Sequence, residues 1–325
     1  MHSHPPHRTS LRLATAGLRT CRTALGLTAM GVVLATVSAH AANGTWIGTS
    51  YPIWGGPSNW SSASVPGAAD TATFNGAGNG NTSLAVAGSP SIGAIVFDTS
   101  SAARYNIGSG DVLNLSAGGS IALTGSVAVQ QQIGASVILG TANGAEAFTF
   151  SNASTVSGAT LFVTGTVSSG LLTGVKTLTV TGAGNTEFHG SIANGAGSVA
   201  VNKTGTGMLS FLPGTVLNFQ NLTAADGTIN VNAPLAGGAG TAVVTVTNTA
   251  GGAATALKFG SVSQKLASLT IGAGATVTFS SGLVGPGGGG GENFVSGKVT
   301  VVPEPATSGL LLIGALGVLR RRRAA

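Results

Sequence analysis

The sequence predicts an all-β body, an elongated right-handed parallel β-solenoid with an N-terminal cap, with a β-sandwich as the alternative. Three observations point there. Residues 42–302 hold no convincing amphipathic helix, whereas short segments alternate apolar with small polar residues, the period-2 signature of a half-buried strand. Between those segments lie Gly, Asn, Ser and Ala, which suit tight turns and positive φ, and Gly alone contributes 53 residues. Charged residues make up only 7% of the chain, against about 25% in typical soluble proteins. Stacked coils suit that poverty, because each buries a small inward stripe against its neighbours.

The expected strands are 71–74, 83–87, 92–97, 112–115, 121–124, 126–129, 136–139, 148–150, 160–163, 177–181, 198–201, 208–211, 228–231, 242–246, 268–271, 275–279 and 298–301. At about 20 residues per coil the body would hold roughly 13 coils and extend some 60 Å.

The two ends read as addresses. Residues 1–23 are basic and contain no acid, residues 24–37 are an apolar run, and Ala39-His40-Ala41 supplies small residues at the −3 and −1 positions of a cleavage site. Residues 1–41 are therefore expected to be a signal peptide. The body is expected to occupy 42–284, and 285–302 to hold a glycine-rich linker and one last strand. In 303–325, Pro303-Glu304-Pro305 breaks regular structure, residues 306–319 are largely apolar, and Arg320, Arg321, Arg322 and Arg323 follow at once. A 14-residue helix spans about 21 Å, short of the roughly 30 Å hydrocarbon core, so only a short transmembrane segment is expected. Snorkelling arginines would sit on the cytoplasmic side.

This order of motifs resembles the PEP-CTERM sorting tail. The resemblance implies recognition of Pro303, Glu304 and Pro305 by an exosortase-type membrane enzyme. It also implies an inner-membrane intermediate, then transfer to the outer surface or extracellular matrix of a Gram-negative bacterium, where such proteins commonly accompany exopolysaccharide. Within the body, Val201-Asn202-Lys203-Thr204-Gly205-Thr206-Gly207-Met208-Leu209-Ser210-Phe211 resembles the autotransporter-associated β-strand repeat, a Lys-Thr-Gly-x-Gly turn leading into an alternating strand. Asp226-Gly227-Thr228-Ile229-Asn230-Val231 is similar to its closing strand, with Ile229 in place of Leu, and 184–190 is similar to the strand before it. Trp46, Trp54 and Trp60, followed by Val65-Pro66-Gly67 and Asp70-Thr71-Ala72-Thr73-Phe74, resemble the opening segment of secreted proteins bearing these repeats. A first coil must be covered or it exposes a strand edge, so these tryptophans read as a cap. The functional alternative makes Trp46, Trp54 and Trp60 glycan contacts, an aromatic platform for sugar rings.

The residues leave little material for catalysis. The lone cysteine, Cys21, falls in the leader, and the only histidine of the mature chain is His189. Glu187 and His189 would share a strand face, as an acid–base unit or simply as two solvated polar residues. Asp70, Asp98 and Asp111 could be gathered by successive coils, as in polysaccharide-active β-helices, but no acids are paired in sequence and each reads better as a turn residue. Thr245, Thr247 and Thr249 alternate as in an ice-binding ladder, yet one run without regular recurrence reads as a solvated strand. The body carries six basic and seven acidic residues, with no basic patch to neutralise phosphates, so nucleic acid is not an expected partner. The expectation is a non-enzymatic structural or adhesive surface protein without cofactor or metal. Its expected partners are the processing enzyme, the membrane transiently, and extracellular polysaccharide. A polysaccharide-active enzyme or a carbohydrate-binding surface protein is the alternative.

Overall fold

A computed structural model describes residues 42–235, 242–249, 252, 254–260, 264–280 and 295–301, all within one compact unit. The expected signal peptide (1–41), the glycine-rich stretch at 285–291 and the tail (303–325) lie outside the described residues. Every described ladder between strands is parallel, which excludes the sandwich and gives a β-solenoid.

Turns of the solenoid cross up to three faces, the third formed by strands as far as Leu217–Asn218. The first face stacks Thr71–Phe74, the second half of Ser91–Phe97, the second half of Val112–Leu123, Glu146–Asn152, Val175–Thr181, Ser198–Lys203, Asn221–Ala224, Val243–Val246, Gln264–Ile271 and Val295–Val301. The second face is a nine-stranded sheet running from Ser83–Leu84 to Thr276–Phe279. The third face stacks the first halves of Ser91–Phe97 and Val112–Leu123 with Ser136–Leu139, Val167–Ser168, Ile192–Ala193 and Leu217–Asn218. Val112–Leu123 belongs to two faces because it bends at Gly118-Gly119, and Gly118 takes a φ of 73°.

The nine turns among the described residues are fewer than the roughly 13 expected. Adjacent rungs pair Phe211 with Val231, 20 residues on, but Ile133 with Val163, 30 residues on. The corner loops take the extra residues, so at about 4.8 Å per turn the stack is about 43 Å long rather than 60 Å. The expected strand 126–129 is a turn and coil with Val127 buried. Conversely, two-residue strands such as Asn106–Ile107, Val167–Ser168 and Ile192–Ala193 escape a search for alternation, since a pair of residues cannot display a period of two.

In-register stacking turns the alternation of each strand into columns. On the second face Leu84, Ile107, Ile133, Val163, Phe188, Phe211, Val231, Phe259 and Phe279 form one inward column. Phe188 lies 5.6 Å from Phe211 and Phe259 5.1 Å from Phe279 between ring centroids. This core is continuous along the described residues, so no single rung has to bury much area to be held.

At the N-terminal end, Gly44–Thr45 pairs with Thr71–Phe74, and residues 46–60 fold over that rung. Asn59, fully buried, shapes this loop. Its amide donates to the carbonyls of Tyr51 and Ile53, and its Oδ1 accepts from the backbone N–H and the hydroxyl of Ser50.

Candidate functional surface

The tryptophans lie inside the cap. Trp46, Trp54 and Trp60 are 2%, 0% and 1% exposed. Trp60 meets Trp46 and Trp54 edge to face at 5.1 and 5.0 Å and packs on Phe74 at 5.8 Å. Trp60 Nε1 donates to the Trp54 carbonyl and Trp46 Nε1 to that of Asn81. The rings are spent on one another and on the first rung, and no ring face is open for a sugar.

The three candidate acids serve the backbone at separate corners. Asp70, on entry to the first face, accepts from the N–H groups of Ala42 and Gly67 at 2.6 and 2.7 Å. Asp98, on exit from that face, accepts from Thr99 N–H and the Thr124 hydroxyl. Asp111, before the third face, accepts from Val86 N–H at 2.6 Å. Among the described residues no three His, Cys, Asp or Glu side chains gather as a metal site would require.

Two buried lysines were not singled out as polar corners by the sequence. Lys203 ends Ser198–Lys203 in an inward column that holds Val180 on one neighbouring rung and Ala224 on the other. Its ammonium donates to the carbonyls of Thr204, Gly205 and Asp226 at 2.9, 2.5 and 3.3 Å. Burial pushes its pKa down to about 8, with the Asp226 carboxylate pulling the other way. The same corner dictates a glycine on each of two neighbouring rungs, Gly205 of the Lys-Thr-Gly turn and Gly227 after Asp226. Gly205 and Gly227 have φ of 73° and 69°, and a Cβ on Gly227 would come within 2.5 Å of the Gly205 carbonyl oxygen. Lys176 is likewise fully buried, paired with Glu146 and donating to the carbonyls of Ala142 and Gly144.

Two outward surfaces remain as candidates for recognition. On the second face Phe162 stands between Gln132 and Glu187 in register. Its ring lies 4.7 Å from the His189 imidazole, and His189 Nε2 is 3.2 Å from Glu187 Oε2. The pair expected from sequence thus forms on a solvated face, with an aromatic neighbour. Alternation alone could have flagged it, since Leu161 and Val163 point inward and leave Phe162 outward. On the first face the outward positions mix hydroxylated residues with Ala, Asn and the exposed Val175 and Val243, and parallel register sets threonines from several rungs one above another. A third feature is a shallow cleft of about 370 Å³ beside the third face, lined by Ser91, Asn114, Ile138, Gly140, Thr141, Leu171 and Leu172.

No described helix is long and apolar enough to cross a membrane, and the tail expected to do so lies outside the described residues. No curated protein and no solved structure matches the chain. A family model described as the PEP-CTERM protein-sorting motif matches residues 301–323. The chain carries at its C-terminus a motif that implies export, transient membrane association and processing by an exosortase-type enzyme for sorting to the cell surface.

Proposed function

We propose that this chain is a non-enzymatic structural or adhesive protein of the outer surface or extracellular matrix of a Gram-negative bacterium, associated with exopolysaccharide. The observation that carries the reading is where the sorting motif falls. It begins at residue 301, where the last rung, Val295–Val301, ends. Processing beyond that point leaves every described rung intact and delivers the solenoid as a finished unit. A charge-poor stack suits a passive element, and the resemblance of 184–232 to an autotransporter-associated repeat supports a surface role. The capping duties of Asp70, Asp98 and Asp111 also favour structure over catalysis, since each carboxylate is already engaged by backbone N–H or hydroxyl donors.

The test is fractionation of the producing cell with intact masses of the wild type and of a variant with Pro303, Glu304 and Pro305 all changed to Ala. Wild type found outside without its tail, and the variant held in the inner membrane with its tail, are the expected results. Both forms remaining in the inner membrane with the tail intact would reduce the tail to a plain anchor and remove the exopolysaccharide link.

A second reading, a carbohydrate-binding surface protein, is favoured by one observation, the half-buried Phe162 ring beside His189 and Glu187. Phe162→Ala would then abolish retention on the bacterium's own polysaccharide while leaving the circular dichroism unchanged.

A further inference from the structure

The outward side of the first face carries a regularity that the linear sequence conceals. Pairing places Thr149, Thr179, Asn202, Thr223, Thr245 and Thr270 in one straight column. Successive members are separated along the chain by 30, 23, 21, 22 and 25 residues, yet each lies one rung from the next. A second column two residues further on contains Ser151 and Thr181 in register. Thr204, Ala225 and Thr247 continue along the same edge, where their N–H groups extend the ladder to Val180, Lys203 and Ala224, and the Thr247 hydroxyl donates to the Ala224 carbonyl at 3.4 Å. Rungs of a parallel sheet are about 4.8 Å apart, and alternate residues on a strand about 6.6 Å apart, so the face is a two-dimensional grid with those two repeats.

The grid is neutral, and its flanking columns mix hydroxyl residues with Ala147, Ala200, Asn221, Ala225, Val243 and Gly272. The column and the positions two residues to either side of it carry no charge between Thr149 and Thr270. The five column threonines are half-buried, and among the described residues their hydroxyls have no hydrogen-bond partner inside the protein. Each therefore keeps a donor and acceptor for something outside. A β-branched residue in a strand is stiff at χ1, and neighbours above and below restrict it further, so hydroxyl and methyl are held in place before any ligand arrives.

We propose that this face binds ice. The occupant that fits is a neutral, rigid lattice of hydrogen-bonding oxygens, whose repeats along the two axes of a prism plane are close to the rung and column spacings. A charge-free face is complementary to a lattice with no net charge. Many weak contacts at fixed spacing suffice there, whereas a flexible ligand would have to be ordered first at an entropic cost. Among the described residues no ring for stacking on sugars points outward on this side, and Phe148 and Phe150 of the same strand point into the core.

The experiment uses the protein as exported, purified from the producing cell, and a double variant, Thr179→Lys with Thr223→Lys. Both substitutions are outward, so an unchanged thermal melt checks the fold. Wild type is expected to enter a slowly growing ice front and to retard recrystallisation, and the double variant to lose at least tenfold in both. Phe162→Ala, on another face, should behave as wild type. Exclusion of folded wild type from the ice front would overturn the proposal, as would a double variant that still partitions. Wild type that is excluded from ice but sediments as a dimer, with the lysines returning it to monomer, would assign the face to a second copy instead and also overturn it.

Discussion

The first rung and the Lys203 corner solve the same problem by opposite means. At the N-terminal end, Trp46, Trp54 and Trp60 close over Phe74 with ring contacts of 5.0 to 6.3 Å. At the corner after Ser198–Lys203, one ammonium gathers three carbonyls. The difference follows from what each place leaves exposed. An end exposes an entire apolar cross-section and an unpaired ladder, so it needs bulk. An interior corner is already covered above and below, and only the backbone carbonyls that the bend turns inward lack partners.

The comparison is broken most severely at the cap. Trp60 is the ring that Trp46, Trp54 and Phe74 share, so Trp60→Ala should cost about 3–5 kcal/mol, the usual range for deleting a buried large aromatic. Urea unfolding measures it, and limited proteolysis should cut first within residues 42–70. A cost below about 1 kcal/mol, outside the usual core range, would mean that the first rung does not need its cover.

At the corner the expected loss is smaller. Lys203→Met keeps the apolar stem and removes the ammonium, leaving inward carbonyls unpaired, at about 1–3 kcal/mol. Val180 and Ala224 occupy the same column on the neighbouring rungs, so an apolar side chain fits the register. A neutral outcome would therefore show that the carbonyls find water and that the lysine is dispensable.

The lysine also imprints a pH dependence. Its folded pKa of about 8 lies below the ordinary 10.5. Between those values the unfolded chain binds more protons, so stability rises as pH increases from about 8 towards 10. A melting series from pH 7 to 10 should show this rise in wild type and lose it in Lys203→Met. Tyr105, whose phenol burial pushes up to about 12, acts in the opposite sense, because its folded state holds a proton that the unfolded chain releases above pH 10. The series is best stopped there.

Much of this architecture is legible in the sequence, and the remainder is hidden for physical reasons. Alternation in 177–181 and 228–231 marks both strands and their inward faces, because period two is a local property. The Lys-Thr-Gly turn is visible as a motif, but the ammonium's partnership with the Asp226 carbonyl depends on which rung lies next to it. The threonine column is hidden for the same reason: corner loops of unequal length put its members at uneven separations, and only pairing restores their order. Trp46, Trp54 and Trp60 could be read from sequence either as cap or as sugar platform, since composition does not say which side of a ring faces water.

The mildest test separates the two sides of the sheet wall using one substitution chemistry. Thr186 is inward on the second face, in register between Leu161 and Leu209, 1% exposed, and its hydroxyl has no partner among the described residues. Thr223 is outward on the first face with its hydroxyl in reach of water. Replacing Thr by Val keeps the β-branch and the volume and deletes only the hydroxyl. At Thr186 this removes a buried unsatisfied group and should stabilise by about 1 kcal/mol. At Thr223 the change should stay within about 0.5 kcal/mol, as expected of a surface site. Equal effects at the two positions would mean that the hydroxyl of Thr186 is hydrated after all. The inward column would then be less dry than its apolar neighbours imply, and the contrast between cap and corner would have to be redrawn around internal water.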